Sequence, residues 1–343
     1  MNILLSSAGR RTYMVDYFKE VVGNSGKVYA SNSVLTYTLL QADGYLITPL
    51  IYDEGYIGCL LKYCKEKRIS AIISLFDIDL PILSKNKRLF ADNGITVLVP
   101  EKEVTDICND KWKTYQFLRK IGVNQSPAYI NLEDAKKGLE VGATFFPLFL
   151  KPRWGMASIG IYKVNNVLEL EVLYKKLRSE IFNTYLKYES SADSDACILI
   201  QQAIKGQEYG IEILNDLHAE YVSVFAKKKI SMRAGETDIA VTVNPSPFEN
   251  IAKLISSKLR HIGVLDIDCF VTESGEIDVL EMNCRFGGQY PFTHLSGVNV
   301  PRQIISWLGG GNTNLEWLHQ RIGVESCKEL TPTIIADPNG QGV

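Results

Sequence analysis

Over the first hundred residues, short apolar runs of strand length alternate with amphipathic stretches of helical period. Residues 2–6, 28–30, 71–74 and 96–99 read as buried strands, and residues 12–22, 56–68 and 80–92 as helices. That alternation predicts a parallel α/β sheet. Pro100 marks a boundary. Residues 110–121 form a helix that Gly122 stops. Beyond it the pattern becomes strand-rich. Residues 147–151 and 161–164 make a hairpin around a long Gly-containing loop, and residues 168–186 an amphipathic helix. Residues 189–195 read as a polar loop, followed by strands at 197–202, 209–214, 220–226 and 239–243. A helix at 247–262 precedes a second hairpin, 265–271 with 276–283. Helices at 301–308 and 315–322 end the pattern, and residues 337–343 read as a disordered tail.

A chain of 343 residues is long enough for two or three domains and a large core. Its net charge of −2 gives no nucleic-acid footprint. No apolar run approaches a membrane span, and the basic pair Arg10-Arg11 follows the first apolar run, unlike a signal peptide. Seven dispersed cysteines without a C-x-x-C pair fit reduced thiols, and hence the cytoplasm. Four histidines lack zinc-ligand spacing.

The second hairpin concentrates the chemistry. If Ser274-Gly275 forms a two-residue turn, Glu273 faces Glu276 and Asp268 faces Glu281. Two carboxylates then lie roughly 5 Å apart on one face. Their repulsion at an effective dielectric near 20 is about 3 kcal/mol, and a divalent cation would turn it into ligation. Asn283, two residues on, adds an oxygen to that face. Few protein oxygens suit Mg²⁺ held together with phosphates. A surface hairpin with solvated acids is the competing reading.

Glu281-Met282-Asn283-Cys284-Arg285-Phe286-Gly287-Gly288, with Asp268 upstream, resembles the metal hairpin of ATP-grasp enzymes. The nearest likeness is to the branch of the carbamoyl-phosphate synthase large subunit. The resemblance implies that Asp268, Glu281 and Asn283 hold Mg²⁺, with Mn²⁺ as an alternative, on the phosphates of ATP. It implies that Arg285 steadies the phosphoryl group in transfer. Lys111 follows Asp110 at a helix start, where the helix dipole disfavours a cation unless an anion is near. The resemblance sends it to the phosphates. The stretch from Lys151 through Gly155 and Ser158 to Gly160 is similar to the family's K-P-x-x-G-x-x-S-x-G lid loop, with Lys151 on the α- and β-phosphates. Gln201, Gln202, Ala203 and Ile204 correspond to the adenine hinge and Glu208 to the ribose ligand. Gln201 departs from the Glu that many members carry. Lys229 and Arg233 fall where related ligases place basic residues near the γ-phosphate or a substrate carboxylate, and which Lys of 227–229 acts is open.

The implied architecture is a Rossmann-like N-terminal domain over 1–100, a linker helix and lid over 101–205, a catalytic base over 206–330 and a tail over 331–343. The implied activity is ATP-dependent ligation of a carboxylate to an amine such as an amino acid or amino sugar, releasing ADP. Phosphorylation of bicarbonate or carbamate, or a non-catalytic nucleotide-binding module, are the alternatives. The substrates are small molecules, and self-association as a homodimer is left open. In open α/β sheets ligands gather where the loop 6–11 and Asp77 stand, and ordinary strand-to-helix turns explain both equally well.

Overall fold

In the computed structural model, which describes residues 1–155 and 159–335, the chain builds three sheets. The first contains β1 (Ile3–Ser6), β2 (Val28–Asn32), β3 (Gly44–Ile47), β4 (Ala71–Ser74) and β5 (Thr96–Leu98), all parallel, in the order β3-β2-β1-β4-β5. β1 and β4 are buried throughout, which is why they read as continuous apolar runs. β3 escaped the sequence reading because it is an edge strand, with Tyr45 and Ile47 turned outward. The helix expected over 80–92 is two, Asp79–Lys85 and Lys87–Ala91. They part at Asn86, whose side chain donates to the Ile82 carbonyl and competes with helical bonding.

The strand order reverses between β1 and β4, so the loops that follow these two strands flank the sheet's switch point. Buried Asp79 ties the two loops together. It accepts from Ser6 Oγ (2.9 Å), Ser7 Oγ (2.8 Å), Tyr56 OH (3.3 Å) and Ser74 Oγ.

The second sheet contains β6 (Ala128–Tyr129), β7 (Leu148–Pro152), β8 (Tyr162–Val164) and β9 (Ile198–Gln202), antiparallel in the order β6-β9-β7-β8. Leu170, Leu177 and Ile181 of helix Val167–Phe182 pack on Leu148, Leu150, Ile198 and Ile200. The stretch expected as a polar loop coils into Lys187–Ser190 and a 3₁₀ turn, Ser191–Ala196. Helices Lys102–Asn109 and Leu132–Glu140 were not anticipated.

The third sheet contains β10 (Gln207–Asn215), β11 (Tyr221–Arg233), β12 (Glu236–Val243), β13 (Gly263–Val271), β14 (Ile277–Asn283) and β15 (Glu325–Cys327), in the order β14-β13-β10-β11-β12-β15. Alternation separates its faces. Ile211, Ile213, Ala226, Leu265, Ile267 and Met282 share a core with Ala252 and Ile255 of helix Glu249–Leu259. The register puts Glu208, Glu212, Lys227, Lys229, Asp266, Asp268, Glu281 and Asn283 on the opposite face. Burial of the apolar face, worth about 1.5–3 kcal/mol per large side chain, supports a sheet that carries charge on its other side. The basic run 227–229 does not lie between the strands expected at 220–226 and 239–243. It continues β11, and Lys227 and Lys229 are buried because acids on β10 and β13 receive them.

Among the described residues no helix is long and apolar enough to cross a membrane. The stretch expected to be disordered, 337–343, lies outside the described residues.

Candidate active site

β13 and β14 pair Asp268 with Glu281 and Asp266 with Asn283. The Asp268–Glu281 pairing is the expected one, but two offsets produce it. The turn has three residues at its tip, with the Gly275 N–H on the Thr272 carbonyl (2.9 Å) and Gly275 at φ 84°. Val271 therefore faces Ile277, one residue away from the register of a two-residue turn. A bulge at Leu280 then shifts the ladder by one and returns Glu281 to Asp268.

Lys229 Nζ bridges Asp268 Oδ1 (2.6 Å) and Glu208 Oε1 (2.7 Å). Gln289 Nε2 donates to Asp266 Oδ1 (2.5 Å) and Asp268 Oδ1 (3.2 Å). Lys111 Nζ lies 3.5 Å from Glu281 Oε2 and also donates to the Gly155 carbonyl. Burial pushes the Asp268 carboxyl up to about 7 against the pull of Lys229, and Asp266 and Glu281 add to the rise. Burial acts the same way on Glu281, but Lys111, Lys151, Arg285 and Lys229 outweigh it and hold that carboxyl below its ordinary range. Glu281 thus sits within the field of four cations, and Asp268 beside it within that of Lys229.

Among the described residues no three His, Cys, Asp or Glu side chains are arranged to hold a metal. A third protein oxygen would come from the Asn283 amide, which makes no side-chain hydrogen bond among the described residues. Two carboxylates and an amide are a hard, incomplete oxygen set. That fits a Mg²⁺ ion whose remaining ligands are water and phosphate.

The two lysines are held by helix Lys111–Lys120 and by β7. Asp110 caps helix Lys111–Lys120 by accepting from the Trp112 (2.9 Å) and Lys113 (3.3 Å) N–H groups. Its carboxylate also takes Arg153 in a two-pronged pair, 2.8 Å on each prong. The Lys111 N–H donates to the Arg153 carbonyl (3.2 Å), so the end of β7 sets where Lys111 stands. Lys151 Nζ donates to Gln201 Oε1 (2.8 Å), a neutral partner. Burial, and then the neighbouring Lys111, lowers its pKa to about 8. Gly160 has a left-handed backbone, φ 69°. Ser158 lies outside the described residues.

At the end of β9, the Gln202 N–H goes to the Pro127 carbonyl (2.9 Å) and the Ala203 N–H to the Pro147 carbonyl (3.0 Å). The Gln202 side chain accepts from Thr144 Oγ1 (3.0 Å) and the Phe145 N–H (2.9 Å). These groups are occupied within the fold. The Ile204 N–H has no partner among the described residues and is the free donor of the four.

Arg285, just past the end of β14, ties the third sheet to the first. Its Nε and Nη2 donate to Asp77 Oδ2 (3.1 and 2.7 Å), and its Nη1 donates to Asp266 Oδ2 (3.2 Å). A Cβ on Gly287 would lie 2.1 Å from Asp266 Cγ, and one on Gly210 would lie 1.5 Å from Gln289 Oε1. A side chain at either position would displace the Asp266 carboxylate or the Gln289 amide from its place in the site. Arg233 stands apart, at the β11–β12 turn, paired with Asp238 (2.5 Å) and donating to the Lys328 carbonyl (2.9 Å). Lys227 lies deeper than Lys229, fully buried against Glu212 (2.5 Å). Asp266, Gln289 and Arg153 were missed by the sequence reading. Asp266 carried a signal, since it is two residues before Asp268 and shares its face.

Residues 3–98 match the family of PylC-like N-terminal domains, and residues 144–292 match the ATP-grasp domain family. The vancomycin/teicoplanin A-type resistance protein VanA of Enterococcus faecium is 26% identical over 242 residues, which is 63% of this chain and 65% of VanA. The carbamoyl phosphate synthase large chain of Thermoanaerobacter sp. (strain X514) is 26% identical over 58% of this chain and 18% of its own length. The chain therefore spans just under two-thirds of the first relative and less than a fifth of the second. The crystal structure of the L-amino acid ligase from Bacillus licheniformis superposes with a TM-score of 0.71 at 19% identity, covering 94% of this chain and 79% of that one. The fold is shared at that distance. This chain thus carries an ATP-grasp domain, matched over residues 144–292, behind a PylC-like N-terminal domain, matched over residues 3–98.

Proposed function

We propose that the chain is an ADP-forming carboxylate–amine ligase. A substrate carboxylate oxygen attacks the γ-phosphorus of ATP, the bond to the β–γ bridging oxygen breaks, and ADP leaves as an acyl phosphate forms. An amine then attacks the acyl carbon. The C–N bond forms, the C–O bond to phosphate breaks, and inorganic phosphate and a proton are released.

The observation that carries this reading is the Asp268–Glu281 pair with Lys229 2.6 Å from Asp268 and Lys111 3.5 Å from Glu281, and with Lys151 and Arg285 in the field of Glu281. Such a field suits a polyphosphate and a migrating phosphoryl group. Lys151 and Lys111 hold the phosphates, the Ile204 N–H reads the adenine edge, and Glu208 takes the ribose. Arg285 stabilises charge on the phosphoryl group in transfer. Mg²⁺ or Mn²⁺ bound by Asp268, Glu281 and Asn283 would supply Lewis-acid neutralisation of that charge. The L-amino acid ligase with the same fold supports amine ligation, and the carbamoyl phosphate synthase likeness supports bicarbonate as a second candidate acid.

The test is product identity. The protein is incubated with Mg²⁺, ATP and a panel of amino acids, small carboxylates and bicarbonate, each with amines and amino sugars. ADP should accumulate with the correct acid, and hydroxylamine should trap a hydroxamate. AMP and pyrophosphate would overturn the reading.

A further inference from the structure

Gln289 opens helix Tyr290–Leu295, yet its side chain does not cap that helix. The residue is 4% exposed. Its Nε2 donates to Asp266 Oδ1 at 2.5 Å and to Asp268 Oδ1 at 3.2 Å. Its Oε1 is buried without a hydrogen-bond partner among the described residues. Turning the amide over would not relieve this, because the oxygen would then face two carboxylates. Gly210 makes the room, since a Cβ there would lie 1.5 Å from Oε1. A buried acceptor left unpaired costs stability and calls for a reason. The reason lies in the two bonds that the other end of the amide makes.

Those bonds close a chain across the site. Asp77 receives Arg285, and Arg285 Nη1 donates to Asp266 Oδ2 (3.2 Å). Gln289 joins Asp266 to Asp268, and Lys229 joins Asp268 to Glu208. Every link except Gln289 is an acid or a base, and at Gln289 two acids meet. A cation there would neutralise Asp268, and an apolar side chain would leave the two carboxylates unbridged. A neutral amide holds both through its two N–H groups and leaves their charge in place. The oxygens then divide into two kinds. Both oxygens of Asp266 are taken, one by Gln289 and one by Arg285. Asp268 Oδ1 is taken by Lys229 and Gln289, while its Oδ2 makes no hydrogen bond or ion pair among the described residues. Asp266 thus serves the arginine, and Asp268 keeps one oxygen for a metal ion. The loop that carries Arg285 is held in place too. A Cβ on Gly287 would lie 2.1 Å from Asp266 Cγ, and Arg11 Nη1 donates to the Phe286 carbonyl at 2.6 Å.

We propose that Gln289 is a positioning residue for phosphoryl transfer. Its amide turns Asp268 toward the metal and, through Asp266, aims Arg285 at the γ-phosphoryl group. This rests on the ligase reading above. Gln289 touches neither nucleotide nor acid, and acts only through the two carboxylates it bridges.

The test uses the whole chain and Gln289→Met, which is close in size and donates nothing. Calorimetry with ADP and Mg²⁺ reads the Asp268 side without any acid or amine. The Mg²⁺ concentration that half-saturates the ADP-loaded protein should rise by about ten- to a hundredfold, with metal-free ADP affinity unchanged. ADP release with the acid and amine that support it reads the Arg285 side. At Mg²⁺ that saturates the variant, kcat should still fall by about tenfold or more, with KM for ATP little changed. In an Arg285→Ala background the same substitution should lower kcat by no more than about twofold, because the arginine it aims is gone. Gln289→Asn keeps the amide but is one methylene shorter and cannot reach both acids. It should show the same losses in smaller measure, and it carries the test if Gln289→Met does not fold. An unchanged Mg²⁺ requirement would overturn the proposal, and so would kcat losses that multiply with those of Arg285→Ala. A Gln289→Asn protein indistinguishable from wild type would do the same. AMP as the nucleotide product would instead overturn the ligase reading, and the shift in Mg²⁺ requirement would stand apart from it.

Discussion

Glu281→Gln should lower turnover at saturating Mg²⁺ by about a hundred- to a thousandfold while leaving affinity for metal-free ATP undiminished. Two roles of one carboxylate lead to this split. As a metal ligand, Glu281 is half of the carboxylate pair that β13 and β14 bring together, and an amide cannot replace its charge. As a counter-ion, it faces Lys111 at 3.5 Å and lies in the field of Lys151, Lys229 and Arg285. Removing its charge leaves those cations free for the polyphosphate. Metal-free ATP should therefore bind as tightly as before, or tighter, and the dependence of nucleotide binding on Mg²⁺ should flatten. Calorimetry with and without Mg²⁺ measures both. Turnover within a few-fold of wild type, or an equal loss of both affinities, would remove Glu281 from the metal site.

Lys151→Met should do the opposite to binding and stability, weakening nucleotide by about ten- to a hundredfold without lowering the melting temperature. Lys151 is buried with only the neutral Gln201 amide as a partner and Lys111 as a neighbour. Its folded pKa of about 8 lies below the ordinary 10.5. Between those values the unfolded chain binds more protons, so stability rises with pH across the window, and the penalty of burying the charge is fully present below it. Methionine removes that penalty, and the pH-dependent rise should vanish with it. The polyphosphate supplies the missing counter-charge. At pH 8.5 nucleotide binding should take up protons, seen by calorimetry in buffers of different ionisation enthalpy, and at pH 6.5 it should not. A Lys151→Met protein with wild-type nucleotide affinity would contradict the assignment.

What the sequence made legible follows from which contacts are local. β1 and β4 are covered on both faces, and their apolar runs announce them. β3 has one face in solvent, and because Tyr45, Leu46 and Ile47 are apolar in succession, with no polar alternation, this short run does not announce its exposed face. Lys227 and Lys229 look like a solvated run because their neutralising acids, Glu212, Glu208 and Asp268, lie on other strands. The Asp268–Glu281 pairing could be read from hairpin alternation alone, although the turn and the bulge each moved the register by one. Lys111 and Lys151 stood out by residue type and position. The Asp110–Arg153 clamp that positions Lys111 spans 43 residues, and the Asp77–Arg285 pair spans 208. Arg11 and Phe286 are 275 residues apart. No spacing rule reaches such distances. The strand order of the first sheet brings the loops after β1 and β4 together, and only the folded chain shows that Arg11 and Asp77 bond to adjacent residues, the Phe286 carbonyl and Arg285.

The most direct measurement of the central claim is the fate of the carboxylate oxygen. The acid that drives ADP release is prepared with oxygen-18 in its carboxylate and taken through a single turnover with Mg²⁺, ATP and the amine. Attack on the γ-phosphorus transfers one carboxylate oxygen to phosphate, so the inorganic phosphate should carry one oxygen-18 atom and ADP none. Unlabelled phosphate, or oxygen-18 in AMP, would show that the carboxylate never reached the γ-phosphoryl group and would contradict the account.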